Sequence, residues 1–159
     1  MPQPEPPVGT RAPDRIDPRG PRFAAAITSA LLLVVVVLGT AGATLAAWIL
    51  LAALAALFAW GAVAGVARSP WGLVFRKLVR PRLAAPSGLE DPRPPTFAQG
   101  VGFAVTIAGV LLGTFGVAGA VPIAAAIAFA AAFLNAAFGF CLGCVMYVWL
   151  VRARVIRQA

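Results

Sequence analysis

Four long apolar stretches, none containing Asp, Glu or His, leave this chain few ways to fold outside a bilayer. They run from about Arg22 to Gly39, Ala43 to Val66, Phe97 to Ala118, and Pro122 to Val151. Crossing a hydrocarbon core as helix takes roughly 20 residues, and each stretch meets or approaches that length. Charged residues are 11% of the chain, against about 25% in soluble domains. The runs are continuous rather than alternating and rich in Ala and Leu, so they predict helices and not barrel strands. Short Gly- and Pro-containing links, Gly39 to Gly42 and Gly116 to Pro122, predict two helical hairpins. The expected fold class is an all-α membrane protein with four transmembrane helices.

The cations fix an expected orientation. All 13 Lys and Arg residues lie before or at the start of the first stretch, between the second and third, or after the fourth, and none lies in the two short links. The positive-inside rule then places both termini and the central loop in the cytoplasm of a plasma (inner) membrane protein. The net charge of +8 reads as topology signal and attraction to anionic headgroups, not as a nucleic-acid surface. The expected partner is the lipid bilayer.

The chain also repeats itself. Asp17-Pro18-Arg19-Gly20-Pro21-Arg22-Phe23-Ala24 returns as Asp91-Pro92-Arg93-Pro94-Pro95-Thr96-Phe97-Ala98, and Leu38-Gly39-Thr40 returns as Leu112-Gly113-Thr114 at the same offset. This predicts two parallel repeats, residues 17–80 and 91–154, joined by a linker at 81–90, with a disordered Pro-rich tail at 1–16 and a short tail at 155–159. A pseudo-two-fold axis along the membrane normal would bring the Asp-Pro-Arg entries together. Two arrangements are open there: Asp17 pairing with Arg93 and Asp91 with Arg19, or each Asp capping its own helix while each Arg meets lipid phosphate. Gly61/Gly65, Gly109/Gly113 and Gly139/Gly143, each four apart, predict close helix packing. Leu73 to Arg80 reads either as a short interfacial helix, with Trp71 and Phe75 towards lipid, or as an extension of the second span.

Little remains for chemistry. Without His or intramembrane carboxylates there is no proton relay, His metal site or Ser-His-Asp triad. Cys141 and Cys144, the only cysteines, form a C-x-x-C that as continuous helix would share one face, with Cα atoms about 5 Å apart. Their Cβ vectors diverge in a regular helix, so oxidation needs local loosening, which Gly139 and Gly143 can supply. Cys144 lies eight residues before Arg152, which places the pair about 12 Å inside the cytoplasmic boundary. In the first repeat their positions hold Ala67 and Pro70, so the thiols exist once. They are either the catalytic dithiol of thiol or sulfur chemistry or small packing residues. Asn135 and the entry arginines Arg19 and Arg93 are the candidate supporting or substrate-binding residues. Two thiolates with no third ligand make no zinc site, and no cofactor is called for.

Ile16-Asp17-Pro18-Arg19-Gly20-Pro21-Arg22-Phe23, Phe97-Ala98-Gln99-Gly100-Val101-Gly102 and Phe133-Leu134-Asn135-Ala136-Ala137-Phe138-Gly139-Phe140-Cys141-Leu142-Gly143-Cys144 carry a family resemblance. The chain resembles the bacterial domain-of-unknown-function family 4395, multi-spanning proteins common in actinobacteria, over about Asp17 to Tyr147. That family brings no established activity. The resemblance implies association with cytosolic thioredoxin-like or rhodanese-type proteins, with Cys141 and Cys144 as the matching dithiol. The rival readings are a small-solute transporter or channel, and an accessory membrane subunit.

Overall fold

The computed structural model describes residues 15–86 and 88–155; of the tails expected at 1–16 and 155–159, all but residues 15, 16 and 155 lie outside that range. The described residues are helical, with one isolated bridge and no strand. Asp17 opens the first helix, α1 (Arg19–Thr40), by accepting the Arg19 backbone N–H on Oδ1 at 3.0 Å. Gly42, at φ 85°, turns the chain into α2 (Thr44–Ala64). Positive φ costs glycine little for want of a Cβ, which permits a link this short.

Gly65, also at φ 85°, ends α2. A 3-10 turn over Val66–Arg68 follows, then α3 (Pro70–Val74), capped by the Ser69 hydroxyl, which accepts the Gly72 N–H at 3.2 Å. A π-helical turn (Phe75–Val79) and a 3-10 turn (Arg80–Arg82) complete this segment. It is therefore a separate helical piece and not an extension of the second span. Phe75 does not face lipid. It is buried against Gly20, with its ring centroid 5.7 Å from that of Phe23, because the missing side chain at Gly20 leaves a seat for it.

The second copy begins at α4 (Arg93–Thr114), whose first N–H is again held by a carboxylate, Asp91 Oδ1 at 2.9 Å. After a turn containing Gly116 and Gly119, both at positive φ, come α5 (Ala120–Phe138) and α6 (Leu142–Arg152). Helices α1, α2, α4 and α5 are long and apolar enough to cross a membrane, and α6 is not. The fourth span is thus shorter than the sequence pattern suggests, and it stops before the cysteines.

Several features of the two hairpins recur at the same 74-residue offset. Helices α1 and α4 both have 22 residues and start 74 residues apart. Each hairpin's first helix packs chiefly on the other hairpin's second, α1 on α5 and α2 on α4. The single bridge pairs Ile16 with Glu90, each N–H donating to the other's carbonyl at 2.9 Å. These residues are themselves equivalent, so the bridge sits where a two-fold axis requires. Buried positions match too: Leu32 with Thr106, Leu51 with Ala125, Leu54 with Ala128. The first copy supplies the larger side chain and the second the smaller.

Lipid offers no hydrophobic drive for helices to associate, so close packing must hold the bundle. A Cβ on Gly109 would overlap that of Ala124 and stand 3.1 Å from Leu51, while one on Gly102 would stand 2.6 Å from the Phe58 ring. Gly65 and Gly139, by contrast, serve as helix terminators rather than packing residues.

The entries lie together, but their charges pair locally. The Asp17 carboxylate binds the Arg19 guanidinium at 2.8 Å, and Arg19 Nη2 also donates to the Ala84 carbonyl at 2.9 Å. Cross-axis pairs of Asp17 with Arg93 and Asp91 with Arg19 are absent: among the described residues Asp17–Arg19 is the only salt bridge. Two residues' separation already gives Asp17 a bidentate partner, and Asp91 and Arg93 are exposed, where a pair gains little. Nor does Arg19 point only to lipid, since it ties the α1 entry to the central linker. The hydrogen bond from Arg19 holds the Asp17 carboxyl below its ordinary value of 3.8, against the opposing effect of burial and with a smaller contribution from Arg80.

Candidate functional site

The dithiol segment owes its geometry to one glycine. At Gly139 the backbone enters the left-handed region, φ 70°, and α5 ends. The Gly139 N–H returns to the Asn135 carbonyl at 3.0 Å and the Phe140 N–H to the Leu134 carbonyl at 3.3 Å. Three residues later the chain is helical again. Cys141 is the extended N-cap of α6, and Cys144 lies in its first turn. The two are joined as a disulfide with Cα atoms 5.2 Å apart. The continuous helix expected through this region is therefore broken, and the loosening that a disulfide needs comes from Gly139.

The cap is made by sulfur. Cys141 Sγ accepts the Cys144 backbone N–H at 3.3 Å, where a serine or aspartate oxygen normally stands. Both cysteines are half-buried. The repeat comparison places Ala67 and Pro70 at their positions, and Gly65 opposite Gly139; the break exists in both copies, the sulfurs in one.

Helix α6 is held against the entry of α4. A Cβ on Gly143 would stand 2.5 Å from that of Ala98, so the backbones nearly touch. Phe97 and Tyr147 add an aromatic contact with centroids 5.7 Å apart. Ala98 is five residues into the helix from Arg93, so the cysteines flanking Gly143 lie about 7–8 Å in from the cationic end. Along α6 itself, the unbroken helical stretch from Cys144 to Arg152 keeps the rise of about 12 Å expected from the sequence. Around the break, Phe138, Phe140 and Leu142 are exposed, at 72%, 48% and 40%, which gives the dithiol an apolar rim.

Of the supporting residues named from sequence, Asn135 lies one turn before the break, and its carbonyl receives the Gly139 N–H. Arg19 is engaged with Asp17 and Ala84, and Arg93 is exposed with its own N–H on Asp91. The cation beside the break is instead Arg22. Its Nη2 donates to the Ala136 carbonyl at 3.4 Å, and its guanidinium lies 3.7–3.8 Å from where a Cβ on Gly139 would be. A cation suits the carbonyl-rich C-terminus of α5. The equivalent residue of the second copy, Thr96, accepts the Val66 N–H at 3.4 Å just past the end of α2. Residues 22 and 96 thus both bind at the end of the other copy's second helix, Arg22 by donating to a carbonyl of its last turn and Thr96 by accepting an N–H of the turn that follows it.

A dithiol at a helix N-terminus, next to a helix C-terminus held by arginine, is suited to carrying a transient negative charge on sulfur. No curated protein and no solved structure matches the chain. A family model described as Domain of unknown function (DUF4395) matches residues 16–152, a stretch that takes in both hairpins and the dithiol, and the chain belongs to that family.

Proposed function

We propose that this membrane protein exchanges thiol or sulfur equivalents with a cytosolic thioredoxin-like or rhodanese-type protein through Cys141 and Cys144. The observation that carries the reading is the sulfur N-cap: a helix N-terminus favours charge on Cys141, and a half-buried partner three residues on can resolve a mixed disulfide. Cys141 is thus the attacking residue and Cys144 the resolving one. In the reducing direction the Cys141 thiolate attacks a partner disulfide, forms a mixed disulfide and releases one partner thiolate. The Cys144 thiolate then attacks Cys141 Sγ and releases the second. The partner gains two electrons and the pair becomes a disulfide. With a persulfide partner the same two steps pass sulfane sulfur to Cys141 and then release it as hydrosulfide. The cytoplasmic location follows from the positive-inside assignment of the arginine-rich end.

Thiol trapping in intact cells tests this. Wild type should cycle between oxidised and reduced forms, and Cys144→Ser should accumulate a mixed disulfide through Cys141. Cysteines that stay in one redox state, with no mixed disulfide in either single variant, would refute the exchange and favour an accessory subunit. Solute uptake that survives replacement of both cysteines would favour a transporter or channel.

A further inference from the structure

At the place in the first copy that matches the dithiol in the second, the bundle holds a cavity of about 340 Å³. It lies within the roughly 300–1,000 Å³ range of small-ligand sites. We propose that it binds a phosphate-type oxyanion, either the headgroup of an anionic phospholipid or a soluble phosphate. The site is separate from the dithiol and does not depend on its chemistry.

The lining carries the charge. Arg15, Arg68, Arg76 and Arg80 border the cavity with a single carboxylate, Asp17, which Arg19 already neutralises. None of those four arginines has a salt-bridge partner among the described residues. Arginine presents a planar fork of donors matched to phosphate oxygens, and cationic pockets between helices at the cytoplasmic end are where anionic headgroups are held.

Comparison with the second copy accounts for the space in the first. There, Gly143 lets α6 press directly onto Ala98 of α4. The equivalents of these two residues are Ser69 and Ala24, and both line the cavity. The added Ser69 side chain keeps α3 off α1. It is spent on its own helix, donating to the Val66 carbonyl at 2.7 Å and accepting the Gly72 N–H. Ala67, at the position of Cys141, also borders the space. Three of the four cations follow the same asymmetry, since Arg15, Arg68 and Arg76 have Leu89, Leu142 and Leu150 as counterparts, while Arg80 matches Arg154. The bundle has one scaffold with two differently equipped sites: thiols where it is closed, arginines where it is open.

The test uses the full chain in detergent, titrated with phosphatidylglycerol, phosphatidylcholine and inorganic phosphate, and read by native mass spectrometry and calorimetry. Wild type should bind phosphatidylglycerol saturably and in preference to phosphatidylcholine. Arg68→Gln with Arg80→Gln should weaken that binding roughly tenfold or more, through lost charge-assisted bonds. Ala67→Leu, which keeps every cation and fills the space, should weaken it as well. Arg152→Gln with Arg154→Gln removes equal charge outside the cavity and should leave it unchanged. Competition by inorganic phosphate assigns the site to a soluble oxyanion, and its absence assigns the site to the lipid headgroup. Equal binding of the two lipids with no binding of phosphate, or equal loss in both charge variants, would overturn the proposal.

Discussion

Gly139→Ala should make the Cys141–Cys144 disulfide easier to reduce. Gly139 sits at φ 70°, and an L-residue there costs roughly 1–2 kcal/mol more than glycine. The new methyl group meets nothing closer than the Arg22 guanidinium at 3.7 Å, so the backbone conformation is the whole cost. The disulfide needs the break, because cysteines in a continuous helix diverge at Cβ. The reduced dithiol does not need it, and α5 can relax towards α6. The penalty therefore falls on the oxidised form, and the midpoint potential rises by about 20–45 mV. Gly139→Asn should give a smaller rise, since Asn tolerates the left-handed region. The measurement is equilibration of purified protein in dithiol redox buffers, followed by maleimide trapping and a gel-shift readout. An unchanged or lowered potential, with the variants otherwise folded, would refute the coupling between the break and the disulfide.

Gly143→Ala should force α6 away from α4, at a cost of about 1–3 kcal/mol for overpacking, seen as a lower midpoint of thermal unfolding. Ala98→Gly should restore only part of the loss, since a Cβ at position 143 would still stand 2.6 Å from the Ala98 Cα. Asp17→Asn should be less stable than wild type at neutral pH. The Asp17 carboxyl is held below its ordinary value chiefly by Arg19, so its contribution is full above that value and disappears as pH falls from about 5 towards 2. Thermal unfolding of both proteins across that range should therefore converge at the acid end. Leu51→Ala should cost about 2–5 kcal/mol, because Leu51 is wholly buried and fills the gap over Gly109; chemical denaturation in mild detergent measures it.

The four spans, the hairpin links and the repeat offset were legible because long apolar runs and segregated cations have few alternative explanations. Loosening at Gly139 was legible, but a full helix end there was hidden. Phe138-Gly139-Phe140-Cys141 offers no proline or polar cluster, and glycine inside a helix costs only about 1 kcal/mol, so an apolar stretch reads straight through it. The first copy held the clue, since Gly65 and Ser69-Pro70 mark a stop at the equivalent place. The local pairing of Asp17 with Arg19 was obscured by symmetry, which brings the entries together without bringing their charges across. Arg22 escaped notice because its role lies in capping a helix of the other repeat, and no spacing along its own helix reports that.

The self-pairing of Ile16 with Glu90, and the matching of large with small side chains beneath it, bear on how this bundle can be assembled. Backbone pairing between equivalent residues is what an isologous two-fold dimer of a single hairpin would make. The side chains no longer allow it. In a homodimer of the first hairpin, Leu51 would meet Val35 where it now overlies Gly109, and the crossing would be overfilled. In a homodimer of the second, Ala125 would face Gly109 and leave a void. The halves have become complementary parts, each unable to stand in for the other, and covalent linkage secures their one-to-one supply.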